Sequence, residues 1–136
     1  MKKTAIIYWS GTGNTEAMAE ALAAAAQGDL FPVDAFDVTT WDDYDAYALG
    51  CPAMGAEELE DADFQPFFDA VKERLADRPL ALFGSYGWGD GEWMQTWEAE
   101  CRDLGALLVD DPVICMEAPD DEALEALEAL GKKLSS

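Results

Sequence analysis

Histidine is absent from this chain of 136 residues, and with it go the Ser-His and Cys-His nucleophile pairs and the HExxH zinc site. Basic side chains are scarce: 8 lysines and arginines stand against 29 acids, for a net charge of −21. Phosphate backbones and anionic lipids need cations to neutralise them, so this balance argues against nucleic acid and membrane as partners. The acidity is open to three readings, namely a docking face, solubility, or adaptation to high salt. Cysteine is limited to Cys51, Cys101 and Cys115, with no CxxC pair, so neither zinc ligation nor a disulfide framework fits. Each reads as a small buried apolar residue in a reducing compartment. A long apolar run is missing too. MKKTAIIYW begins as a signal peptide does, but the run stops at Trp9 and a polar loop follows; the reading is a cytoplasmic protein with no export or transmembrane segment.

What is present is a 50% hydrophobic composition, enough for one core and one domain spanning 1–136. Apolar and polar stretches alternate without repeats or linkers. Thr4 to Trp9 reads as a strand buried on both faces, and Asn14 to Gln27 as an alanine-rich helix ending at Gly28. Val33 to Val38 alternates as a strand does, Trp41 to Asp45 allows a short helix, and Ala46 to Cys51 is a second buried strand. Asp63 to Leu75 predicts a helix with Phe64, Phe67, Phe68, Val71 and Leu75 inward. Pro79 to Tyr86 is strand-like, Gly91 to Gly105 helical, and Leu107 to Met116 a strand interrupted by Pro112. Asp120 to Leu134 closes the chain with a core stripe of Leu124, Leu127, Leu130 and Leu134. Five strands alternating with five helices predict an α/β doubly wound parallel sheet, helices on both faces.

In such sheets ligands sit beyond the carboxyl ends of the strands. Three loops lie there: SGTGNT after the first strand, PAMGAEE after the third and GSYGWGDGEW after the fourth. In Ser10, Gly11, Thr12, Gly13, Asn14 and Thr15 the glycines free backbone N–H groups to point inward, the hydroxyls donate, and a helix presents its positive end. A phosphate fits without a side-chain cation. The triphosphate loop GxxxxGK[ST] is absent, and Glu16 replaces the third glycine of GxGxxG. A Cys-x5-Arg phosphatase fails because Glu57 stands where the arginine is needed, and a phospho-acceptor aspartate is missing after Leu49 and Gly50. Tyr86, Trp88 and Trp93 on glycine-rich backbone read as stacking platforms for a flat ring, with Met54 for the opposite face. The combination points to a flat heterocycle joined to a phosphate, held rather than transformed.

Ser10-Gly-Thr-Gly-Asn-Thr15, Gly50-Cys-Pro-Ala-Met-Gly55 and Gly84-Ser-Tyr-Gly-Trp-Gly-Asp-Gly91 closely resemble the short-chain flavodoxins of anaerobic bacteria, over essentially the whole chain. The resemblance implies a five-stranded sheet of order 2-1-3-4-5, non-covalently bound FMN, and a low-potential one-electron carrier rather than an enzyme. By that resemblance Ser10 to Thr15 hold the 5′-phosphate, Met54 and Trp88 flank the ring, and Glu57 accepts from flavin N3–H. Pro52, Ala53, Gly55, Ala56, Ser85, Tyr86, Gly87 and Gly89 complete the cofactor set, and no metal is implied. The turn Met54-Gly55-Ala56-Glu57 would rotate its central peptide on reduction. Pro52 replaces a hydroxyl common in the family, and Glu117 a neutral amide.

Fourteen acids and no base lie between Lys3 and Lys72, with Glu57, Glu58, Glu60, Asp61 and Asp63 crowding the ring loop. Together such acids lower the potential of an anionic reduced flavin by on the order of 100 mV. They would also steer redox partners with basic docking faces, low-potential reductases and oxidoreductases, toward a monomeric carrier. The alternative is a flavodoxin-like activator of a specific metalloenzyme such as ribonucleotide reductase. A flavin enzyme would need substrate-binding loops that the chain lacks.

Overall fold

The short apolar runs become the sheet. In the computed structural model, which describes residues 3–11, 13–54, 59–87 and 91–136, β1 (Thr4–Tyr8), β3 (Ala46–Gly50) and β4 (Pro79–Tyr86) form its centre. β1 and β3 are buried throughout, as strands covered on both faces must be. β2 (Asp29–Pro32) pairs with β1 from Ala5↔Asp29 to Tyr8↔Pro32. On the other side β5 (Leu107–Leu108) and β6 (Val113–Met116) both pair with β4. All pairings are parallel and the order is β2-β1-β3-β4-β5. Pro112 and the two aspartates before it split the last strand in two, as proline removes a ladder donor.

Helices α1 (Asn14–Ala26) and α4 (Asp121–Ser135) cover one face, where Ile6, Met18, Leu22, Leu127 and Leu130 are buried together. Helices α2 (Phe64–Val71) and α3 (Glu92–Asp103) cover the other, with Ile7, Leu49, Phe64, Phe68, Leu82 and Trp97. Burying each of these large side chains stabilises the fold by about 1.5 to 3 kcal/mol.

Four sequence readings are corrected. The second strand lies at Asp29–Pro32, and Val33–Ala35 is a 3-10 turn, because pairing with β1 begins as soon as the chain returns from α1. The left-handed cap of α1 is Gln27 (φ 52) rather than Gly28. The helix starting near Asp63 turns to 3-10 geometry at Lys72–Arg74, although all five of its inward residues are buried as read. In α4 Leu124 is 37% exposed, and Ala123 takes its place in the buried stripe with Leu127, Leu130 and Leu134. The three cysteines are free and buried, as read.

Candidate functional site

Because every strand points the same way, the loops after β1, β3 and β4 meet at one edge of the sheet. They enclose a cleft of about 610 Å3 lined by Trp9, Gly11, Asn14, Pro52, Ala53, Met54, Ser85, Tyr86, Gly87, Glu117 and Ala118. Nine of these were singled out from the sequence: Gly11, Asn14, Pro52, Ala53, Met54, Ser85, Tyr86 and Gly87 as cofactor-binding, and Glu117 as a departure from the family. Thr12, Gly55, Ala56, Glu57, Trp88 and Gly89 lie outside the described residues, as does most of the turn expected to rotate.

The first loop is held by its own side chains. Ser10 Oγ accepts from Gly13 N–H at 2.9 Å, and Gly13 caps α1 with φ 93, a left-handed conformation open to glycine. Thr15 is buried at the first turn of α1, and its hydroxyl pairs with that of Ser85 at 2.9 Å, tying the loop to the end of β4. Ser10, Gly13 and Thr15 thus shape the cleft wall without lining it. The N-terminal amides of α1 and the Asn14 amide supply donors, with no described cation among the lining residues. That donor set suits a phosphate, and the apolar stretch from Trp9 through Pro52, Ala53 and Met54 to Tyr86 suits a flat ring. The residues present therefore fit a ring linked to a phosphate.

The ring side rests on close backbone contact. A Cβ at Gly84 would fall 2.2 Å from the Cys51 carbonyl, so only glycine lets the ends of β3 and β4 approach this closely. Trp93 closes the floor: its indole N–H donates to that same carbonyl at 3.2 Å, and its ring lies 5.7 Å from Tyr86. Only 2% exposed, Trp93 is core and not a stacking platform, a correction to the sequence reading. Burial pushes the Cys51 thiol up to about 12, so it carries no thiolate for chemistry at neutral pH.

Glu60, read as one of the acids crowding the ring loop, has a capping role that the sequence did not show. It is 5% exposed, and its carboxylate accepts from the N–H groups of Ala62, Asp63 and Phe64 at 2.8, 2.8 and 2.9 Å. Burial alone would raise its pKa, but the three backbone donors outweigh burial and hold it below the usual carboxylate range. Its own N–H donates to Cys51 Sγ at 3.4 Å. Glu60 is the cap that launches α2 from the ring loop.

Trp9 and Ala118 line the cleft without having been singled out. Trp9 was read as the last residue of β1, which ends at Tyr8; an indole directly before a phosphate loop was the available signal. Among the described residues no group of three or more His, Cys, Asp or Glu side chains is placed to hold a metal ion. No described helix is long and apolar enough to cross a membrane.

Comparison with known proteins gives one family. The family model described as flavodoxin matches residues 6–131. A flavodoxin of Megasphaera elsdenii is 46% identical over 134 residues, covering 93% of this chain and 97% of the relative. One from Clostridium beijerinckii is 40% identical over 136 residues, covering 96% and 98%. The solution structure of two-electron reduced Megasphaera elsdenii flavodoxin superposes with a TM-score of 0.87 at 42% identity, covering 97% of this chain and 98% of that one.

Proposed function

The chain belongs to the flavodoxin family, FMN-binding electron carriers rather than enzymes, and we propose that it holds FMN in the cleft beyond β1, β3 and β4 and passes single electrons at low potential. Residues 1–136 act as one FMN-binding domain in this reading. The observation that carries it is the joining of two unlike chemistries in one cleft: amides and hydroxyls at the start of α1, and an apolar wall from Trp9 to Tyr86.

Ser10, Gly11, Thr12, Gly13, Asn14 and Thr15 form the loop that holds the phosphate, with Gly11 and Asn14 at the cleft wall and Ser10, Gly13 and Thr15 fixing the loop's shape. Pro52, Ala53, Met54, Tyr86, Gly87 and, beyond the described residues, Gly55, Ala56, Trp88 and Gly89 shield the ring, with Glu57 accepting from its N3–H. Ser85 serves by fixing Thr15. When bound, FMN supplies reversible one-electron chemistry; the chain supplies position and a dry, electron-rich surround. Its partners are redox proteins with basic docking faces, a reading supported by the net charge of −21. The same charge supports a monomer, and three free thiols support a reducing, cytoplasmic setting.

Denaturing the purified or FMN-reconstituted protein and weighing the released ligand tests the proposal. FMN is expected; release of FAD, or no flavin retained after reconstitution, overturns it.

A further inference from the structure

The outer edge of the sheet beside the cleft is left open by the fold. β6 pairs on one side with β4, and among the described residues no strand pairs with its other side. Backbone polar groups along a strand point alternately to its two sides. Glu117 N–H donates to the Tyr86 carbonyl at 2.8 Å, which sets the phase: residues 113 and 115 bond toward β4, and the N–H and C=O of Ile114 and Met116 point outward. The same two residues are 37% and 59% exposed, and as i and i+2 neighbours they share one face. Natural edges of this kind are guarded by lysine, proline or a bulge. Within β6 there is none of these; Pro112, one residue before the strand, removes only its own N–H.

The charge around this edge has one sign. Asp111, Glu117, Asp120, Asp121 and Glu122 are exposed along it, and the neighbouring Lys133 is paired with Asp110. A groove of about 450 Å3 runs between β6 and α4 and shares Tyr86 and Ala118 with the cofactor cleft. A second copy of the chain is disfavoured here, since two bodies of −21 repel.

We propose that β6 is a docking strand, adding to the sheet an extended partner segment in which lysine or arginine alternates with apolar residues, and so setting the partner beside the cleft. Backbone pairing gives the segment its register, Ile114 and Met116 meet its apolar side chains, and the acids meet its cations. The inference rests on the electron-carrier reading for the identity of the partner, and the FMN release experiment fails or succeeds independently of it.

The test uses the FMN-loaded protein and a hexapeptide of alternating lysine and valine, with a second peptide of equal charge whose central valine is proline. Amide exchange at Ile114 and Met116 should slow by about tenfold or more with the first peptide and little with the second. Met116→Pro, which removes one outward N–H and lies outside the cleft lining, should abolish binding of the first peptide while FMN affinity is retained. No slowing with either peptide, or equal slowing with both, overturns the docking strand. Sedimentation showing a dimer in which Ile114 and Met116 are protected without peptide overturns it in favour of a second copy.

Discussion

Replacing Glu60 should unfold the protein more readily than any neighbouring acid would. Its carboxylate caps three backbone N–H groups at the start of α2, with Oε1 accepting from Asp63 and Phe64 and Oε2 from Ala62. A hydrogen bond to a charged group contributes about 1.5 to 3 kcal/mol, and a donor left unpaired costs about 1 to 3 kcal/mol. Glu60→Gln keeps one acceptor and turns an amide toward the other donor, so a loss of about 1 to 3 kcal/mol is expected; Glu60→Ala should lose about 2 to 4 kcal/mol. With a urea slope of about 2 kcal/mol/M, a loss of 2 kcal/mol lowers the midpoint by about 1 M. The sign with pH follows from the lowered pKa. The stabilisation is complete above the unfolded glutamate value of about 4.3 and is lost as pH falls through the lower folded value. Urea titrations at fixed FMN concentration, from neutral pH down to about pH 3, should therefore show parent and Glu60→Gln converging in acid. A Glu60→Gln midpoint equal to the parent's at neutral pH, or a gap that persists in acid, would refute the reasoning.

Thr15→Ala strands the Ser85 hydroxyl and frees the phosphate loop from β4. FMN affinity should fall about fivefold, the equivalent of about 1 kcal/mol, while affinity for riboflavin, which lacks the phosphate, changes little; equal losses for both would show that the pair supports the whole cleft. In α4, Leu127→Ala should cost about 2 to 5 kcal/mol and Leu124→Ala less than about 1 kcal/mol, read as urea midpoints; equal costs would contradict the observed burial.

Strands covered on both faces were legible because continuous apolar runs such as Thr4 to Tyr8 and Pro79 to Tyr86 admit few other solutions in a chain this short. The second strand was not, since Asp29, Leu30 and Pro32 are exposed at the sheet edge and carry no apolar period; its position is dictated by pairing with β1. Helix faces were legible to within a residue of their periodicity, and Leu124 failed because it lies at the open rim beside Ala21, Ala24 and Ala25 of α1 while Ala123 is buried in the core. The site was legible as three loops because loop composition reflects local backbone demands. Trp93 was misread and the capping role of Glu60 was missed for a common reason. An aromatic ring or an acid near a ligand loop looks like ligand machinery until the backbone groups it serves, the Cys51 carbonyl and the α2 amides, are placed beside it.

The absence of cations from the described cleft has a structural origin. Parallel strands carry their N-termini, and crossing helices their C-termini, to the end of the molecule opposite the cleft. Every described lysine and arginine lies there: Lys3 before β1, Lys72, Arg74 and Arg78 between α2 and β4, Arg102 in the last turn of α3, and Lys132 and Lys133 in that of α4. Helix C-termini favour such charges, and most are further committed to acids, with Arg74 and Arg78 sharing Asp42. The first turns that face the cleft end instead carry Glu16, Glu92, Asp121 and Glu122. A phosphate arriving there is met by backbone amides, whose partial charges are fixed and add no net charge to the surface. Each acid about 10 Å from an added electron opposes it by roughly 0.4 to 0.8 kcal/mol at an effective dielectric of 40 to 80. Glu60 opposes it less, since the dipoles of its three N–H donors are aligned against its charge. The low potential proposed for this carrier is therefore carried by the exposed acids of the cleft rim, and added salt should raise it by screening them.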